Sequence, residues 1–133
     1  VVNLHLTAAA TDMRLWELDC WKNHRTNRQI RRAELATAIN ILNITDPGKK
    51  GTAIVAGDFN APSNDRLYGL VDREMTDTFA AVGTGWPNTY HRRIPLLRLD
   101  HIFVSDQLMP VRSRAVTIPE SDHRMVISDM IFE

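Results

Sequence analysis

Three short stretches bring together residue types suited to phosphoester chemistry: Gly57-Asp58-Phe59-Asn60, Leu99-Asp100-His101 and Ser121-Asp122-His123. Each borders an apolar run, and α/β sheets collect binding and catalytic groups at strand ends. A carboxylate such as Asp58 can orient or deprotonate an attacking water, while a neutral amide such as Asn60 can donate to a phosphate oxygen without placing more negative charge beside an anion. Asp122 offers a hard oxygen ligand for Mg²⁺ or Mn²⁺, and a protonated His123 suits a phosphoryl oxygen that gains charge in the transition state. Asp100 is a candidate to hold His123 by a hydrogen bond. His5, on the opening strand, is a further candidate. Any one of these triplets alone is an ordinary turn or strand end. Their joint occurrence, in this order, is what points to chemistry.

Such groups need strands to carry them and a helix to back the strands. Val2, Leu4 and Leu6 alternate with Asn3, His5 and Thr7, a strand with one polar face. That face reads as the floor of a site or as a solvated sheet edge. Residues 8–25 have no clear period and predict a loop or short helix. A helix is predicted from Thr26, where Thr26 and Gln29 have capping-box spacing and Leu35, Ala38, Ile39 and Leu42 form a stripe. Arg25, Arg28, Arg31 and Arg32 then read as a solvated helix face rather than a phosphate site. Asp46-Pro47-Gly48-Lys49-Lys50-Gly51 predicts a turn back into a strand over 52–56. Further strands are predicted over 99–105, 111–118 and 125–132, with a short helix over 67–71. Strand, helix and returning strand give an α/β class: one mixed β-sheet with helices on one face.

Composition narrows the reading further. A length of 133 residues fits one domain, but the chain opens on Val1 and runs directly into a strand, so it is expected to be a portion of a longer one. Sixteen basic and sixteen acidic residues cancel, which removes any global field toward nucleic acid or anionic membrane. With no interleaved basic and aromatic stripe evident, a general nucleic-acid-binding module is the weaker reading. The single cysteine, Cys20, excludes an intrachain disulfide and a cysteine zinc cluster, and reads as a small buried hydrophobe. No apolar run reaches the roughly 20 residues of a membrane span. The compartment is not legible.

Taken together, VNLHL, the amphipathic helix, IVAGDFNAP, NTY, RLDHIFVS and SDHRMV resemble the C-terminal half of the endonuclease/exonuclease/phosphatase superfamily, the deoxyribonuclease I-like enzymes. The GDFN and SDH pair is the specific part; the other pieces gain weight from their order. The resemblance implies that residues 1–133 form half of a four-layer sandwich whose other, N-terminal portion is absent. It further implies that Asp58 activates water, Asn60 holds the scissile phosphate, His123 with Asp100 stabilises the transition state, and His5 contacts phosphate. Asp122, with Asp58 and Asn60, would lie at a Mg²⁺ or Mn²⁺ site. Tyr90 and Arg98 fall in variable or supporting positions.

The family's principal metal-binding glutamate belongs to the absent portion, and Glu17, Glu34, Glu74 and Glu120 do not stand where it would. Mg²⁺ is therefore expected to bind this chain weakly. The expected function is divalent-metal-dependent phosphoester hydrolysis by the intact parent, with the isolated chain inactive or weakly active. The alternative is a non-catalytic folded module that keeps the family's residues. The substrate class, whether nucleic acid, lipid or inositol phosphate, stays open. His91-Arg92-Arg93 beside Tyr90 reads as a solvated basic loop or a phosphate contact. An apolar sheet face is expected to be covered by the missing portion or by a second copy.

Overall fold

A computed structural model describes residues 1–8, 16–42 and 51–133. The alternating opening residues form strand β1 (Val2–His5), which lies parallel to β2 (Ile54–Asp58) in the register Val2↔Val55 to His5↔Asp58. Parallel neighbours need a crossover, and helix α1 (Leu18–Ile41) lies between them in sequence. Strand β5 (Asp100–Val104) runs antiparallel to β2, and the short β3 (Thr76–Asp77) closes the sheet in the order β1-β2-β5-β3.

A second sheet holds β4 (Gly83–Thr84), β6 (Leu108–Thr117) and β7 (Arg124–Phe132), in the order β4-β6-β7. The α/β class is as expected, but the strands divide between two ladders instead of joining one, because β7 pairs with β6 and not with β5. Helix α2 (Thr78–Val82) bridges the two sheets: the Thr78 hydroxyl lies 2.7 Å from Ser128, which lies 2.8 Å from Ser113.

Helix α1 begins at Leu18, eight residues before the predicted start, and Thr26 and Gln29 lie within it. No Gly or Pro interrupts residues 18–25, so nothing stops the helix from extending toward its N-terminus. Asp19 in the first turn suits the helix dipole and pairs with Lys22 at 3.0 Å. The stripe behaves as read from the sequence: Leu35, Ala38 and Ile39 are buried, and Leu42 packs against the core. The turn predicted at 46–51 lies, except for Gly51, outside the described residues.

Leu35 and Ile39 meet Val55 and Phe103, which face each other across β2 and β5. Phe59, Leu67, Tyr68 and Val71 complete this core, at about 1.5–3 kcal/mol for each large side chain removed from water. Leu67 and Tyr68 come from a 3-10 helix at Arg66–Leu70, close to the short helix expected there. The phenol of Tyr68 is satisfied by the Ala61 carbonyl at 2.7 Å. Because side chains alternate along a strand, Asn3, His5, Ile54, Ala56, Asp58, Asp100 and Ile102 occupy the face away from α1. There Ile54, Ala56 and Ile102 remain partly exposed, and on the second sheet the paired Met109 and Ile131 are exposed as well.

Arg31, which the sequence places on a solvated face, is instead fully buried. Its guanidinium donates to Asp65 at 2.9 Å and to the Asn60 carbonyl, which ties α1 to the chain just beyond β2. Burial holds its pKa below the ordinary value, with Asp65 opposing that shift and Arg28 adding to it. Losing one member of such a buried pair typically costs about 3–5 kcal/mol.

Contact between β1 and β2 depends on Gly57. Its φ of +133° is rarely accessible to other residues, and a Cβ there would lie 2.0 Å from the Leu4 carbonyl oxygen. Backbone strain and overpacking each cost about 1–3 kcal/mol. Gly57→Ala is therefore expected to lower the urea-unfolding free energy by about 3 kcal/mol or more. A loss below about 1 kcal/mol would show that β1 is not held this closely.

Candidate active site

Strand β2 delivers Asp58 to the edge where β1 and β5 deliver His5 and Asp100, on one rung of the ladder: His5↔Asp58↔Asp100. Beyond this rung the chain turns sharply. Asn60 takes a left-handed conformation, φ 48°, which asparagine tolerates better than most residues, and its N–H donates to Asp58 Oδ1 at 2.7 Å. Backbone bonds from Leu6 N–H to the Asp58 carbonyl and from Phe59 N–H to the Leu99 carbonyl, both 2.9 Å, fasten the turn to its neighbours. The Asn60 amide donates to the Leu6 carbonyl at 2.8 Å, which leaves its second amide hydrogen for a ligand.

His123 arrives from the other sheet, one residue before β7. Its N–H donates to the Ser121 hydroxyl at 3.0 Å, its Nδ1 lies 2.8 Å from Asp100 Oδ2, and its Nε2 lies 3.9 Å from Asp58 Oδ2. The imidazole thus stands between two carboxylates. His5 approaches Asp58 from the other side, Nε2 to Oδ2 3.9 Å, with its side chain largely exposed. Asp122 is exposed and lies outside the cluster that Asp58, Asp100 and His123 form. Of the residues proposed from the sequence, the structure brings together Asp58, Asp100 and His123, sets His5 and Asn60 at the margin, and leaves Asp122 apart.

Several positioning residues fall within the NTY and SDHRMV stretches, but the sequence assigns them no such contacts. Thr89 is fully buried; its hydroxyl accepts from the Leu99 and Asp100 N–H groups at 3.1 and 3.2 Å, and its carbonyl accepts from Arg124 N–H at 2.8 Å. One residue therefore fixes both strands that meet at the Asp100–His123 pair. The Tyr90 ring lies 5.0 Å from that of His123. Arg124 binds the Trp86, Asn88 and Ala115 carbonyls, pinning the loop before Thr89 to β7.

Beneath Asp100, buried His101 lies 2.9 Å from Asp77, which also receives Arg98 and caps α2 through the Phe79 and Ala80 N–H groups. Burial alone would raise the Asp77 pKa, but the His101 hydrogen bond and the Arg98 charge outweigh it and hold it below the ordinary range. Arg92 donates to the Ile118 and Pro119 carbonyls, and its neighbours His91 and Arg93 are exposed, as in a solvated basic loop. Glu34, expected to lie away from any metal site, accepts from the Thr7 N–H and hydroxyl at 2.9 and 2.8 Å.

The electrostatics follow from the crowding. Burial raises the Asp58 pKa first; the Asn60 N–H opposes that shift and the Asp100 charge adds to it. Burial alone would depress His123, but the hydrogen bond and charge of Asp100, with Asp58 contributing, raise it above 6.5. With Nδ1–H held by Asp100, protonation places a second N–H on Nε2, facing Asp58 and any anion bound there. A divalent cation would also relieve the two carboxylates. Ligand atoms of Asp58, Asp100 and His123 lie within 4.8 Å of one another, and the two carboxylates suit an ion that accepts oxygen ligands.

The family described as "Endonuclease/Exonuclease/phosphatase family" matches residues 1–123. Among solved structures, an endonuclease/exonuclease/phosphatase from Bacteroides vulgatus superposes with a TM-score of 0.64 at 26% identity, covering 79% of this chain and 45% of that one. A mannosyl-6-phosphatase from Bacteroides thetaiotaomicron gives 0.61 at 24%, covering 76% and 46%. The human Nocturnin catalytic domain gives 0.59 at 21%, covering 98% and 45%. The chain thus spans about half the length of the structures it resembles. No curated protein matches significantly.

The raised His123 pKa has a definite sign in linkage. Its contribution to stability is complete below about 6.5, the unfolded value, and is lost as pH rises through the higher folded value. NMR titration of His123 is expected to give a midpoint above 6.5 that falls in Asp100→Asn. The stability gap between wild type and this variant should narrow across the same window. An unmoved midpoint would remove Asp100 as the cause.

Proposed function

The chain belongs to the endonuclease/exonuclease/phosphatase family, and on that premise we propose that it carries part of the active site of a metal-dependent phosphoester hydrolase. The observation that carries this reading is the cluster of Asp58, Asp100 and His123, in which one imidazole bridges two carboxylates at the strand ends.

In this reading Asp58 accepts a proton from the attacking water. Burial raises its pKa, which makes it a better base than an ordinary aspartate. His123, whose protonated form Asp100 favours, donates from Nε2 to a phosphoryl oxygen as charge develops there. The free amide hydrogen of Asn60 orients another oxygen, and His5 closes the site from β1. Asp58 and Asp100 would hold Mg²⁺ or Mn²⁺ jointly with groups beyond this cluster, and such an ion supplies Lewis-acid polarisation of the phosphoryl group. Asp122, exposed beside His123, would act only as a charge at the rim.

Among the described residues the cluster contains no glutamate, and Glu34 is committed to Thr7. Together with the half-length match, this favours a chain that works as the C-terminal portion of a larger domain. The partly apolar face carrying Ile54, Ala56 and Ile102 would then pack against the remaining portion, or against a second copy. The same observation keeps a second reading in play, in which the chain alone is a folded, non-catalytic module.

Hydrolysis of bis(p-nitrophenyl) phosphate and of supercoiled plasmid, with Mn²⁺ or Mg²⁺, separates the two readings. For the hydrolase, turnover should fall by about 10²–10⁴ in Asp58→Ala with unchanged circular dichroism, and should be abolished by EDTA. Asp58-independent turnover would reject the proposed base. If this chain and a version extended at its N-terminus are both folded and inert, the module reading stands.

A further inference from the structure

The first half of α1 carries charge in a pattern that the proposed chemistry leaves unused. Trp21, Arg25, Arg28 and Arg32 follow one another at steps of four, three and four residues, which places them on one helix face. Like charges at these spacings destabilise a helix, and the chain as a whole is neutral, so this is charge gathered in one place. The stripe faces the 3-10 helix, and between them lies a cavity of about 490 Å³ to which Arg31, Asp65 and Arg66 also contribute.

Asp65 is the one carboxylate among the described residues that line it, and both its oxygens are occupied. Oδ2 takes Arg31 at 2.9 Å, and Oδ1 takes the Leu67 N–H at 2.9 Å with Arg28 at 3.5 Å. Arg25, Arg32 and Arg66 have no ion pair among the described residues. Trp21 is 55% exposed and meets His24 edge-on.

Position and shape narrow what the cavity can hold. Strands β1 and β2 are parallel, so α1 must run from the end of the sheet carrying His5 and Asp58 back toward the start of β2; its first half lies at the same end of the sheet as those side chains, which occupy the other face. Arg31 links the two places directly, because it donates to the carbonyl of Asn60. From Trp21 to Arg32 the stripe covers roughly 16 Å of helix, more than one phosphate group occupies. A row of guanidinium groups beside an exposed indole suits a linear polyanion with planar groups that stack. The arginines line a concavity between two elements, which a strand can enter and a flat lipid surface cannot.

We propose that this groove binds the phosphodiester backbone of a single-stranded nucleic acid, with Arg25, Arg32 and Arg66 on phosphates and Trp21 against a base. As an assignment of substrate class this rests on the hydrolase reading; as a binding site it does not.

The test is fluorescence anisotropy of a fluorescein-labelled deoxythymidine decamer in EDTA, over a range of salt. Binding is expected to weaken linearly in log salt. The triple variant R25Q/R32Q/R66Q should bind at least about tenfold more weakly at low salt, with the slope reduced by about 2. Trp21→Ala should weaken binding, and Trp21→Phe should restore most of it. Arginine-dependent binding supports the site whether or not hydrolysis is found. If the triple variant, folded by circular dichroism, binds as wild type does, the inference is overturned, even where Asp58-dependent hydrolysis of the small diester stands. Arginine-dependent binding to phosphatidylserine vesicles without binding to the decamer overturns it as well.

Discussion

Two carboxylates on one rung of a sheet repel each other, and the site is organised around that repulsion. Asp58 and Asp100 face each other across β2 and β5, partly withdrawn from water, where the interaction is stronger than in bulk solvent. The fold opposes it with the imidazole of His123, the N–H of Asn60 and, more distantly, His5. These are the same groups that an anionic substrate and a cation would address. An arrangement poorly suited to stability alone is what the proposed hydrolase reading would require.

Holding that arrangement takes both sheets. Asp58 and Asp100 belong to the sheet backed by α1, whereas His123 belongs to the approach to β7, and the two meet only because Thr89 binds both strands and Arg124 pins the intervening loop. Below the surface, Asp77, Arg98 and His101 form a second, drier charge cluster that fixes β5 from behind. Arg31 does the same for the turn after β2 by reaching from α1 to the Asn60 backbone. The short polar turn is thus supported by buried charged groups, whose geometry is more demanding than that of apolar packing.

The neutrality of the chain conceals a segregation. Acidic groups gather at the strand ends, while arginines gather along the adjoining half of α1. Composition averages these away, and a hydropathy profile does not register the stripe, because its members point into a cavity and not into the apolar core. Residues 18–25 therefore read as irregular although they are helical.

What the sequence determined by itself is what depends on near neighbours. Alternation along 2–6 and the apolar run at 54–56 gave strands, the Leu35, Ala38, Ile39 stripe gave a buried helix face, and residue types at strand ends gave Asp58, Asp100 and His123 as candidates. Tertiary structure decided what depends on partners far along the chain. Arg31 is buried because Asp65, 34 residues away, meets it; Arg98 and His101 are structural because Asp77 lies between them; Thr89 matters because two distant strands cross beside it. It also separated Asp122 from His123. His123 turns inward to Asp100, whereas Asp122, at a bend just before β7, stays exposed. The sequence carries the periods that set local conformation, but burial and charge pairing are properties of the folded whole.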